Sequence, residues 1–239
     1  MAESELKEEG ADDQFDIVIA VFDRLTQLDF TGPFQVLSLL PGARITVASV
    51  AGKAVSSSGL VFSELGKLEE IESCDVLLVP GGRFIAEPIQ DEVFMAALRR
   101  LAASARYVTS VCTGSIILAA AGLLNGKRAA CHWAWKDILS NFGAIPDGGR
   151  IVRDGNYMSG AGVSAGIDFA LSLASELAGK DVAQMIQLTL EYAPDPPFNA
   201  GRPDSAPAAI LRKVEQANES YLPEVRKQLS EIAGRLVQK

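Results

Sequence analysis

The hydrophobic positions fall into short, almost continuous runs separated by amphipathic stretches. Phe15-Asp16-Ile17-Val18-Ile19-Ala20-Val21-Phe22 is apolar at nearly every position, as a strand buried on both faces requires. Further runs lie at residues 44–50, 75–80 and 107–111. Between them the period changes. Phe34, Val36, Leu37 and Leu40 supply one face of a helix that starts in Asp29-Phe30-Thr31-Gly32-Pro33, and residues 91–103 and 113–123 are also helical by pattern, with Gly126 following the second as a break. Strands alternating with helices predict an α/β fold with a doubly wound, mostly parallel sheet and helices on both faces. Ligands of such sheets bind beyond the carboxyl ends of the strands, where Asp29, the Gly81-Gly82 turn and Cys112 all fall.

Residues 151–159 read as a hairpin about Asp154-Gly155-Asn156, and Gly160-Ala161-Gly162-Val163-Ser164-Ala165-Gly166 opens a long helix through Leu177. So many small residues imply close backbone approach. A second helix covers residues 181–191. Pro194, Pro196, Pro197, Pro203 and Pro207 then exclude helix and central strand, so this stretch is expected to cross the core or a neighbouring subunit in extended form. The tail from Ala208 has helical spacing and is too short for a DNA-binding module. Residues 1–14, charged and without periodicity, read as a disordered leader, and residues 15–239 as a single domain with a helical tail.

Composition narrows the partners. With 48% hydrophobic residues the 239-residue chain can bury one substantial core, and a net charge of −8 disfavours nucleic acid and anionic membrane surfaces. No apolar run reaches the roughly 18 residues of a membrane span, and the acidic start does not resemble a secretory signal, so a cytoplasmic protein is expected. Three cysteines without a CxxC pair and a single histidine exclude a structural zinc site of ordinary spacing.

The chemistry centres on Cys112, where the β-branched run Tyr107-Val108-Thr109-Ser110-Val111 is cut off and a small-residue helix begins. That is the layout of a nucleophile elbow, in which helix N–H groups favour a thiolate; the alternative is a small packing residue at a strand end. Asp29, just past the first strand, is the candidate acid or base, because a carboxyl group beside a thiolate resists ionising and can donate a proton. It could equally be a helix N-cap. Thr113 could offer its hydroxyl to the site or simply open the helix, and Gly81 and Gly82 could aim backbone N–H groups at a substrate atom. His132 could polarise the thiol or pack beside Trp133. Cys74 and Cys131 look like packing thiols.

These residues resemble the ThiJ/PfpI superfamily, related to class I glutamine amidotransferases. The resemblance rests on Leu28-Asp29-Phe30-Thr31-Gly32-Pro33, Val79-Pro80-Gly81-Gly82, the stretch from Thr109 to Ser115, His132-Trp133-Ala134, Gly166-Ile167-Asp168-Phe169-Ala170 and the proline-rich stretch from Tyr192 to Gly201. It covers about residues 15–210 and implies a flavodoxin-like fold, a homodimer and a strained elbow cysteine. Histidine directly after the cysteine marks the peptidase branch; Thr113 stands there here. Several redox and repair members carry glutamate where this chain has Asp29. The branch matched hydrates isocyanides to N-substituted formamides without metal or organic cofactor. The resemblance thus implies Cys112 as nucleophile, Asp29 as its acidic partner and Thr113 as the threonine beside it, and fixes no role for His132; the reading built on it is a thioimidate on Cys112, Asp29 as proton carrier, Thr113 and the Gly82 N–H as positioning groups, and Val163 as a pocket-shaping position. A cysteine-based redox or stress protein, or a ligand-sensing domain without turnover, is the alternative.

Overall fold

A computed structural model describes residues 14–237, so the expected leader lies, but for Gln14, outside the described residues. The chain divides into two compact units, one up to Glu191 and one from Tyr192 onward.

In the first unit the strands are β1 (Phe15–Ala20), β2 (Ala43–Ser49), the hairpin β3 (Val55–Ser57) and β4 (Leu60–Phe62), β5 (Gly66–Lys67), β6 (Val76–Val79), β7 (Tyr107–Val111), β8 (Arg128–Ala130), β9 (Ile145–Asp147), β10 (Ile151–Asp154) and β11 (Tyr157–Gly160). The helices are α1 (Leu28–Leu37), α2 (Ala86–Gln90), α3 (Glu92–Ser104), α4 (Gly114–Ala120), α5 (Ala165–Ala178) and α6 (Lys180–Thr189). Seven strands form the central sheet in the order β10-β11-β7-β6-β1-β2-β5, parallel throughout except for the antiparallel β10–β11 hairpin. The apolar runs occupy its centre, because only strands covered on both faces need side chains that avoid water at every position. Every residue of β6 and β7 is buried.

The chain leaves β1 for β2 on one side and later returns to β6 on the other, so the winding reverses at β1. Parallel sheets of this kind open a crevice at that reversal, beyond the carboxyl ends. The register aligns those ends: Ile19 pairs with Leu78, and Val79 with Ser110. Helices α1 and α5 pack on each other through glycines. A methyl group on Gly32 would lie 3.2 Å from Ile167 Cγ1, and one on Gly166 would lie 3.1 Å from the Pro33 ring. This close seam brings α1 and the start of α5 to the same end of the sheet as the elbow.

The expected helix over residues 113–123 is shorter, because Thr113 stands at its N-cap and Gly122 turns the chain with φ 80°. The helix after Asp91 forms as expected, with the Asp91 carboxylate capping Val93 and Phe94 N–H groups at 2.9 and 3.1 Å. The β3–β4 hairpin and strands β5, β8 and β9 carry no signal in the sequence, being only two or three residues long.

In the second unit the proline-rich stretch forms neither helix nor strand, and α7 (Ala208–Glu219) and α8 (Leu222–Val237) follow it, packed on each other.

Candidate active site

Cys112 directly follows β7 and takes φ 59°, the left-handed region that costs a β-carbon-bearing residue on the order of 1 kcal/mol. The surroundings hold it there. Its N–H donates to the Gly160 carbonyl at 3.0 Å, and the Ser115 hydroxyl donates to its own carbonyl at 3.1 Å. Glycine is demanded by close approach at two neighbouring positions. A Cβ on Gly114 would lie 2.1 Å from the Val79 carbonyl oxygen, and one on Gly81 would lie 2.4 Å from the Thr113 nitrogen. The first turn of α4 is thereby pressed against the carboxyl end of β6.

Asp29 reaches the same place from α1 and is fully buried. It does not cap its helix: Gln27 is at the N-cap, and Asp29 instead accepts the Gly81 N–H on Oδ2 at 3.0 Å. The Cys112 thiol interacts with the carboxyl group, whose Oδ1 is buried without a hydrogen-bond partner. Burial pushes the Asp29 carboxyl up to about 7, against the opposing pull of the Gly81 N–H and the thiol.

The thiolate expected from the elbow layout is not the favoured resting state. Burial, followed by the Asp29 charge and then Cys131, raises the Cys112 thiol well above its ordinary range; the Thr113 N–H opposes this and is outweighed. Two coupled acids in one dry site share protons as a pair. Because Asp29 ionises first, at about 7, the pair above that pH carries one proton, held by sulfur and presented to the carboxylate.

Thr113 and Gly82 are brought together, though not as free substrate donors. The Gly82 N–H donates to Thr113 Oγ1, and the Thr113 hydroxyl donates back to the Gly82 carbonyl. His132 is half-buried beside Trp133, its ring centroid 5.6 Å from the indole. Its Nδ1 accepts the Ala134 N–H at 3.3 Å, leaving the proton of a neutral imidazole on Nε2, and burial lowers its pKa. Its Cδ2 edge lies 3.7 Å from where a Cβ on Gly162 would be. Val163 lies half-buried in the turn between β11 and α5, where its carbonyl accepts the Gly166 N–H at 3.3 Å. That turn continues directly from Gly160, the partner of the Cys112 N–H.

Cys74 and Cys131 are buried thiols pushed up by burial to about 12, as packing thiols should be. Ser115 bonds both the Cys112 carbonyl and the Cys131 thiol, a role the sequence does not signal, because a serine in the first turn of a helix has nothing to distinguish it there. Among the described residues no group of three or more histidine, cysteine or carboxylate side chains could hold a metal ion.

A doubly wound, mostly parallel sheet carrying a left-handed cysteine at a strand-to-helix elbow, with a buried carboxyl against it, defines a flavodoxin-like elbow protein. The chain belongs to the DJ-1/PfpI family, whose pattern it matches over residues 16–176. It is 48% identical over 207 residues to an isonitrile hydratase of Pseudomonas putida, covering 86% of this chain and 90% of that one. A ThiJ/PfpI family protein of Pseudomonas syringae superposes with a TM-score of 0.89 at 36% identity, covering 96% of this chain and 95% of that one. DJ-1beta of Drosophila melanogaster, at 24% identity and a TM-score of 0.68 over 76% of this chain and all of that one, shares the fold.

Proposed function

We propose that this chain is an isocyanide hydratase, converting an isocyanide and water to the N-substituted formamide through a thioimidate on Cys112. The observation that carries the reading is the Asp29–Cys112 pair, a buried thiol bonded toward a buried carboxyl group that ionises near neutrality. The related isonitrile hydratase supports the substrate class.

An isocyanide carbon accepts a nucleophile and a proton at the same atom, so the shared proton suits it. Asp29 takes the proton from sulfur as the Cys112 sulfur bonds to the isocyanide carbon. It then returns that proton to the same carbon, giving R–N=CH–S–Cys112. Water then adds to this carbon, Asp29 taking one of its protons and passing it to the nitrogen, giving R–NH–CH(OH)–S–Cys112. Collapse of the adduct breaks the C–S bond and releases R–NH–CHO, the hydroxyl proton of the adduct passing through Asp29 to sulfur. The unpaired Oδ1 of Asp29 is the atom free to meet the water. Thr113 and Gly82 position the elbow against the Gly81 donor, and Val163 shapes the pocket. His132 is neutral and half-buried, with its proton on Nε2.

A redox or sensing role for Cys112 fits less well, because peroxide attack needs an accessible thiolate whereas this thiol is 5% exposed and raised in pKa. We infer further a homodimer, and a cytoplasmic location in keeping with three free thiols. Light scattering should give twice the 25.4 kDa chain mass. Incubation with cyclohexyl isocyanide should yield N-cyclohexylformamide and, on acid quench, Cys112 carrying the mass of the isocyanide. Wild-type turnover with no adduct under single-turnover conditions would remove the covalent route, and no formamide at all would remove the function.

A further inference from the structure

The cavity that stands apart from the elbow is a cleft of about 250 Å³ at the carboxyl ends of β1 and β2, closed on its far side by α2 and the start of α3. It shares no lining residue with the Cys112 site. The two lie on opposite ends of one loop: Val21, Phe22 and Asp23 line the cleft, whereas Leu25 bridges to Gly82 and the Thr26 N–H donates to the Gly81 carbonyl at 2.9 Å. We propose that this cleft binds a small organic cation, an ammonium group on a compact apolar body.

The walls supply both halves of that chemistry. Phe22 and Phe94, edge to face at 6.0 Å, join Val55 and Pro88 as apolar wall suited to a ring or branched alkyl group. The polar lining carries three carboxylates, Asp23, Glu87 and Asp91, and one ammonium, that of Lys53, while the Arg24 guanidinium, outside the lining, pairs with Glu87 and lies 3.8 Å from Asp23 Oδ2. Asp23 is engaged through both oxygens, Glu87 and Asp91 through one each. Asp23 Oδ1 takes the Ser56 N–H and hydroxyl at 2.9 and 2.8 Å, Asp91 Oδ1 caps α3, and Glu87 Oε1 pairs with Arg24. The Ser56 bonds lower the Asp23 pKa, keeping it charged. Glu87 and Asp91 keep their second oxygens for another donor. Such a lining repels an anion, and a neutral apolar molecule would desolvate carboxylates without replacing their hydrogen bonds; a cation with an apolar body meets both demands.

Cyclohexylammonium, cyclohexanol and cyclohexanecarboxylate, titrated by calorimetry into the Cys112→Ala variant, separate charge from shape. The ammonium should bind saturably, and the alcohol and carboxylate at least about tenfold more weakly. Ala54→Trp, at an exposed lining position, should fill the cleft and abolish binding, while Lys53→Glu should tighten it several-fold at unchanged melting temperature. A gain of affinity is not the signature of a damaged fold. Absence of saturable binding, equal binding of the alcohol, or binding indifferent to both substitutions would overturn the assignment. Because the Cys112 thiol is absent throughout, none of these outcomes depends on the proposed hydratase activity.

Discussion

Thr113 and Gly82 exchange two hydrogen bonds, the Gly82 N–H donating to Thr113 Oγ1 and the Thr113 hydroxyl donating to the Gly82 carbonyl, each at 2.8 Å. A single side chain thus satisfies both backbone groups of a buried glycine turn and ties that turn, which also supplies the Asp29 donor Gly81, to the residue after the nucleophile. Thr113→Val keeps the shape and removes both partners at once. Leaving two buried polar groups unmet should cost about 1–3 kcal/mol, and kcat should fall by more than KM rises. Thr113→Ser should recover most of both. Chemical denaturation and steady-state kinetics on the two variants check this.

Cys112 carries a strain that its chemistry does not need once the sulfur is gone. Cys112→Ala and Cys112→Gly should both lack turnover, because no nucleophile remains. They should differ in stability. Alanine inherits the unfavourable φ of 59°, whereas glycine adopts it freely, so Cys112→Gly should be more stable than Cys112→Ala by about 1 kcal/mol although it removes one more carbon. Equal stabilities would mean that the backbone relaxes when the thiol is removed.

The two neighbouring glycines make a sharper case of the same geometry. Gly114→Ala places a methyl group 2.1 Å from one backbone carbonyl oxygen and 2.8 Å from the next, neither of which can rotate away. The start of α4 must then shift, costing about 3 kcal/mol or more, and carry Cys112 out of register with Asp29. Thermal melts and adduct formation with cyclohexyl isocyanide should both register the loss.

Much of this arrangement was legible in the sequence. The near-continuous apolar runs placed β1, β2, β6 and β7 within a residue or two, because burial on both faces leaves few alternatives in residue type. The interruption of the last run marked the elbow, and the first strand's end marked Asp29. The state of these groups was not legible. An elbow motif argues for a thiolate, but the burial of Cys112 and the approach of Asp29 and Cys131 arise from packing between β7, α1 and the segment after β8, elements far apart in the chain. In the same way, a glycine turn in a sequence offers free N–H groups; only the tertiary structure reveals that those of Gly81 and Gly82 are already taken by Asp29 and Thr113. The β3–β4 hairpin leaves no mark in the sequence because three-residue strands have no room for periodicity.

The pH dependence follows from the same pair. With its carboxyl at about 7 in the folded protein and near 4 in the unfolded chain, Asp29 binds a proton more tightly when folded. A carboxyl raised in this way destabilises the native state where it is ionised, above pH 7. That cost is relieved as pH falls from about 7 towards 4, and it is absent below both values. Asp29→Asn removes the titration, and should therefore gain stability relative to wild type at pH 8 and lose that advantage at pH 4, by a few kcal/mol at about 1.4 kcal/mol per pH unit. Activity runs in the opposite direction. The reactive form of the pair holds one proton, so kcat/KM should fall as pH drops through about 7, where Asp29 takes a second proton and can no longer accept the one on sulfur. A wild-type profile flat between pH 5 and 8, or a stability gain in Asp29→Asn independent of pH, would detach the proton on Asp29 from both.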